Sequence, residues 1–195
     1  MSDNQDEKTT KSVILSILAV MLMIAIVVPL MTSAPTQLLG ESDYRLRGAF
    51  HGLFAMIFMI TSTIGLYQAL RLWRGSAVDI AELEIGSVVN AAACFLTIIF
   101  GNWVYIPYRM QGGPRSHFLE TAPEIHKIFF EFKEFMALFT LPLTVVAAYI
   151  ICFYGAKLIP NRVLRATVAL TLVLSFFYFV VAFGLGAAIT KLKSV

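Results

Sequence analysis

Five apolar stretches, each long enough to cross a bilayer, occupy most of this chain and decide its class before any motif is considered. They run at about residues 13–32, 49–72, 85–107, 122–154 and 163–189. A hydrocarbon core of ~30 Å needs about 20 apolar residues in helical form. Backbone groups in lipid find no water and must be satisfied within the segment, which excludes isolated strands. The sequence therefore predicts an all-α integral membrane protein: a bundle of about five transmembrane helices, the fourth extended beyond the membrane. Only 14% of the residues are charged, against ~25% in soluble domains. The connecting segments are too short for a soluble domain. The expected organisation is a polar N-terminal tail at 1–12 and a single transmembrane bundle at 13–195.

The tail mixes Asp3, Asp6 and Glu7 with Lys8 and Lys11, unlike the basic start of a secretory signal, and the apolar run after it has full span length. A retained first helix is expected. Basic residues do not orient the bundle. Seven fall on the side of the N-terminus (side A) and eight on the opposite side (side B), so the positive-inside rule is silent. The polar tail favours a cytoplasmic N-terminus, and the expected location is a prokaryotic-type inner membrane. A net charge of +3 is too small to imply nucleic acid. The expected partners are the lipid bilayer and other membrane or redox subunits. Cys94 and Cys152 both fall within spans and read as buried free thiols. Without a CxxCH motif there is no covalent haem.

The polar residues gather on side B. His51 opens the second span, His117 lies in the loop at 108–121, and His126 sits in the first turns of the fourth helix. Around them stand Trp103, Tyr105, Tyr108, Arg109, Arg115, Lys127, Glu131, Lys133 and Glu134. Residues 121–124 (TAPE) fit a capping box with Thr121 as N-cap, placing the helix start near Ala122. Because 135–154 already spans a bilayer, 122–134 is expected to project roughly 18–20 Å beyond it. Lys127, Glu131 and Glu134 then share one stripe, and His126, Phe130, Lys133 and Ala137 the next.

Two histidines entering from one side suggest a non-covalent haem b with His51 and His126 as axial ligands. Arg109 and Arg115, with Arg45 and Arg47, are candidates for the propionates, and Trp103, Tyr105 and Phe130 for packing on the macrocycle. Met56, Met59, Met110 and Met136 are alternative axial ligands. Gly52, Ala55, Ser62 and Gly65 offer a small-residue face beside His51. Three histidines limit the chain to one bis-histidine haem. The phrases GNWVYIPYR (101–109) and EIHKIFFEFKE (124–134) stand out as motifs. The general plan is similar to small membrane b-type cytochromes and quinone-linked haem anchor subunits. That resemblance is architectural. The expected function is electron transfer between quinone and a redox partner through this haem, as a redox subunit of a quinone-linked oxidoreductase, with Glu131 and Glu134 relaying protons. The chain departs from the pattern in lacking mid-span histidine pairs, which leaves an interfacial haem.

Other readings compete. His51 and His126 with Glu131 or Glu134 are a mixed donor set for a metal. However, His126 diverges on an ideal helix from Glu131 by roughly 140° and from Glu134 by roughly 80°. A cofactor-free accessory or assembly subunit is the alternative in another class. Ala182, Gly186 and Thr190, and Gly184 with Ala188, repeat at four-residue spacing, as helix association requires. Transport is disfavoured by span centres without ionisable groups, and hydrolysis by the lack of nucleophile or nucleotide motifs.

Overall fold

The computed structural model describes residues 44–192. The expected first span at 13–32 and the polar tail lie outside the described residues. Helix α1 is Tyr44–Arg74, α2 is Ile80–Arg109, α3 is the short Pro114–Thr121, α4 is Glu131–Tyr154 and α5 is Arg162–Leu192. A π-helical segment, Ile125–Phe130, leads into α4, and a 3₁₀ turn, Gly155–Leu158, leads out of it. Among the described residues there is no strand. Four segments are long and apolar enough to cross a membrane: Leu46–Arg74, Ile80–Arg109, Ile125–Leu158 and Arg162–Leu192. The chain is thus a multi-pass membrane protein, helical throughout its described spans.

The local chemistry explains the turns on side A. Gly75 takes a positive φ of 70° and ends α1. The Asp79 carboxylate then caps α2, accepting from Ala81 N at 2.8 Å and Glu82 N at 3.2 Å. Asn161 caps α5 in the same way, accepting from Val163 N and Leu164 N at 3.0 and 3.1 Å. Arg165 ties the two turns together. Its Nε donates to the Leu72 carbonyl at 3.2 Å, and another guanidinium nitrogen donates to the Ile159 carbonyl. Carbonyls left over at a helix end and at a turn thereby gain a charged donor.

The helices pack as an antiparallel ring: α1 on α2 and α5, and α4 on α2 and α5. Three apolar layers fill it. Leu72, Leu83, Ile151, Leu158 and Val168 close side A. Phe58, Ala93, Cys94 and Phe179 fill the middle. Tyr108, Phe118, Phe130 and Ile189 close side B. The outer faces are as apolar as the inside, with Ile60, Leu138 and Leu170 more than half exposed, the pattern of helices whose solvent is lipid. Polar residues turn inward. Most hydroxyls return to carbonyls of their own helix, as in Thr97 to Ala93 O at 2.7 Å and Thr144 to Leu141 O at 2.9 Å. Thr61, besides lying 3.2 Å from the Phe58 carbonyl of its own helix, crosses from α1 to α2 and donates to Asn90 Oδ1 at 2.9 Å. Cys94 and Cys152 are buried, and neither is in a disulfide.

Two expectations are corrected on side B. Residues 108–121 are not all loop, because Pro114 at the first helical position opens α3. Thr121 is not the N-cap of the fourth helix. It ends α3, with its hydroxyl donating to the His117 carbonyl at 2.8 Å. The capping-box pattern is real in sequence, but Thr121 already lies in a helix that closes just before the next one begins. The first turns of the long fourth helix are also packed. Phe130 lies against Tyr108 and Phe118, so α2 and α3 embrace this stretch.

Candidate functional site

At side B, α2 ends, α3 folds back and the π-helical segment begins, bringing three chain regions to one point. The segment is marked by the Glu131 N–H, which bonds to the His126 carbonyl five residues back. It turns His126 and Phe130 inward, to 2% and 9% exposure, and leaves Lys127, Ile128 and Phe129 outside.

Both nitrogens of His126 are engaged. Arg115, carried on α3, donates its Nε–H to His126 Nε2 at 3.1 Å. A ring nitrogen that accepts carries no proton, so the neutral ring is protonated at Nδ1. Nδ1 lies 3.0 Å from the Tyr108 hydroxyl and donates to its oxygen. Phe130 forms the floor. Its ring is parallel to Tyr108, with centroids 4.3 Å apart and 4° between planes. Tyr105 stacks on it at 5.6 Å. Arg109 is exposed and lies over Tyr105 at 4.4 Å. Glu134 and Arg109 both lie beside the Tyr105 hydroxyl, and Glu131 is within electrostatic reach of His126.

His51 belongs to a second constellation. Its Nδ1–H donates to the Thr97 carbonyl of α2 at 3.0 Å, which leaves Nε2 as the lone-pair nitrogen. The ring can approach α2 because position 101 is glycine: a Cβ there would stand 3.1 Å from His51 Cε1. Lys133 is the charged group nearest in effect to His51. Its ammonium lies 5.2 Å from the Phe130 ring centre, a cation–π contact. On α5, Gly186 makes room for the lysine stem, since a Cβ there would be 3.2 Å from Cε. Trp103 is buried beneath Arg47, whose guanidinium lies 5.0 Å from the indole centre and donates to the Trp103 carbonyl at 3.4 Å.

The structure thus joins Arg115 directly to His126, and Arg109 to Tyr105 and Glu134. It gives Trp103 to Arg47. Glu131 is exposed, as is His117. Of the four methionines, Met136 is buried while Met56 and Met110 are exposed. Among the described residues no group of three or more His, Cys, Asp or Glu converges on one point, so His51, His126, Glu131 and Glu134 are not gathered as a ligand set. Sequence reasoning named Tyr108 and Lys133 only as neighbours, and missed the seats made by Gly101 and by Gly186 against Lys133. Gly101 showed only as a glycine in a bulky stretch, and Gly186 was read only as part of a small-residue repeat. Compared with known protein families, curated proteins and solved structures, the chain has no significant match.

Proposed function

We propose that the chain is a redox subunit of a quinone-linked membrane oxidoreductase, and that its side B end binds a quinone and supplies protons to it. What supports this reading is the chain Arg115–His126–Tyr108 inside a membrane bundle. His126 is 2% exposed and held on both sides by ionisable groups, and buried titratable groups of this kind are candidates for proton or ligand paths. A quinone reduced to quinol takes up two electrons and two protons. The electrons come from a redox partner subunit. The residues here handle protons and orientation. Arg115 holds the His126 tautomer with Nδ1–H toward Tyr108, so that N–H stays bonded to the phenolic oxygen when the Tyr108 proton moves on. Arg109 is the exposed member of the same cluster, with Tyr105 and Glu134 half-buried beside it, and in this reading protons reach water past Arg109. The test is fluorescence quenching by a short-chain quinone in detergent. Tyr108→Phe keeps the stacked ring and removes one hydroxyl. It is expected to weaken binding about tenfold, the scale of one hydrogen bond left unmade. Equal affinity in the two proteins would overturn the role given to this chain of groups.

The haem b reading keeps one of its ligands on a specific observation. His51 is anchored through Nδ1–H to a carbonyl, the arrangement that orients metal-binding histidines and leaves Nε2 for iron. His126 fits the role less well, since it must release Arg115 or Tyr108 before a nitrogen is open. If it binds, haem supplies one-electron transfer. A Soret band with a sharp reduced α-band, lost in His51→Ala, is the expected signature. A flat visible spectrum from haem-replete cells leaves the quinone reading without haem.

A further inference from the structure

Two adjoining hollows mark the outer face of the bundle near side A, in the groove between α1 and α5. The inner one, about 230 Å³, is lined by Ala69, Leu70 and Trp73 of α1 and by Ala169, Leu170 and Val173 of α5. The outer one, about 540 Å³, is reached past Trp73 and Leu170, which line both, and adds Arg162, Val163, Ala166 and Thr167. The groove exists because its floor is made of alanines. Ala69 and Ala169 are packed to 1% and 2% exposure, so no side chain fills the space above them.

The charge at the mouth is specific. Arg162 is exposed, and no hydrogen bond or ion pair joins it to another described residue. Arg165, one turn on, is spent on the Leu72 and Ile159 carbonyls. No acidic residue lines either hollow. Trp73, 65% exposed, stands where the two hollows meet. An apolar slot, an interfacial indole and a guanidinium with no partner among the described residues fit one kind of occupant: a molecule with a hydrocarbon tail and an anionic head at the membrane surface.

We propose that this groove is a binding site for an anionic phospholipid. One acyl chain lies over Ala69, Ala169 and Val173, and the phosphate meets Arg162, with the Trp73 indole at the boundary between them. The site is at the opposite end of the bundle from His126 and stands independently of the quinone reading. A quinone is a poorer occupant, because its neutral head makes no use of the guanidinium.

The test is native mass spectrometry of the full chain in detergent, with phosphatidylglycerol or phosphatidylcholine added. The wild-type protein is expected to hold one phosphatidylglycerol under conditions that strip phosphatidylcholine. Arg162→Gln should lower phosphatidylglycerol occupancy about fivefold, as removal of one basic residue at a membrane surface implies. Leu170→Trp fills the groove from its exposed wall and should abolish the adduct. Val145→Trp, on the exposed face of α4, should leave it intact. All three positions are exposed, so folding is not at stake. Equal retention of the two lipids, an adduct indifferent to both Arg162→Gln and Leu170→Trp, or a quinone retained in place of lipid would each overturn the proposal.

Discussion

Gly113→Ala should lower the thermal midpoint of the detergent-solubilised protein by about 5–10 °C, corresponding to a few kcal/mol of overpacking. The reason is space rather than backbone conformation, since φ at Gly113 is −71°. A Cβ there would lie 2.6 Å from the Pro107 carbonyl oxygen, 2.8 Å from that of Tyr108 and 2.9 Å from that of Met110. All three are backbone atoms and none can swing aside. Position 113 also donates to Met110 O at 2.9 Å and accepts from Ser116 N at 3.0 Å, so it is the joint between α2 and α3. Displacing it moves Arg115 away from His126. Gly112→Ala is the comparison. That residue has φ of 77° but open space around its Cβ position, so only the left-handed strain of about 1 kcal/mol applies. A Gly113→Ala midpoint within about 2 °C of wild type would show that the joint is not rigid.

His126→Leu carries the second large effect. The imidazole is 2% exposed and holds Arg115 and Tyr108 at once. Its loss costs the Tyr108 oxygen its ring donor and leaves a half-buried guanidinium without its nitrogen acceptor, about 2–5 kcal/mol in all. Adding Tyr108→Phe to His126→Leu should cost less than the sum of the single changes, because an apolar pair leaves no orphan at that contact. Thermal unfolding of the wild type, both single variants and the double variant measures the coupling. Strict additivity would mean that Tyr108 and His126 do not act as a unit.

The helices were legible because their signal is redundant. Each span repeats its apolar character over 20 or more residues, so one proline, such as Pro142 within α4, does not hide it. The second to fifth expected spans match α1, α2, the 125–154 stretch and α5 to within a few residues. The side B cluster was legible as composition, since three histidines and their basic neighbours fall on one side. What could not be read was the pairing. Arg115 and His126 are eleven residues apart and meet only because α3 folds back, which depends on the packing of Gly113 and Pro114. In sequence Arg115 was as good a partner for a propionate as for an imidazole. The π-helical turn left no pattern of its own, and Thr121 carried a cap signal that a neighbouring helix had already used. Gly101 is an ordinary residue, and Gly186 one of a small-residue repeat, until a ring and a lysine stem lie against them.

The most direct measurement is a titration of the full chain in lipid nanodiscs with a short-chain quinone, wild type beside His126→Leu. Saturable binding near one quinone per chain, weakened at least tenfold in His126→Leu while both proteins remain folded, is the expected result. Linear, unsaturable partitioning that is the same in both proteins would contradict a quinone site at side B, and would mean that Arg115, His126 and Tyr108 serve only to fasten α3 to the bundle.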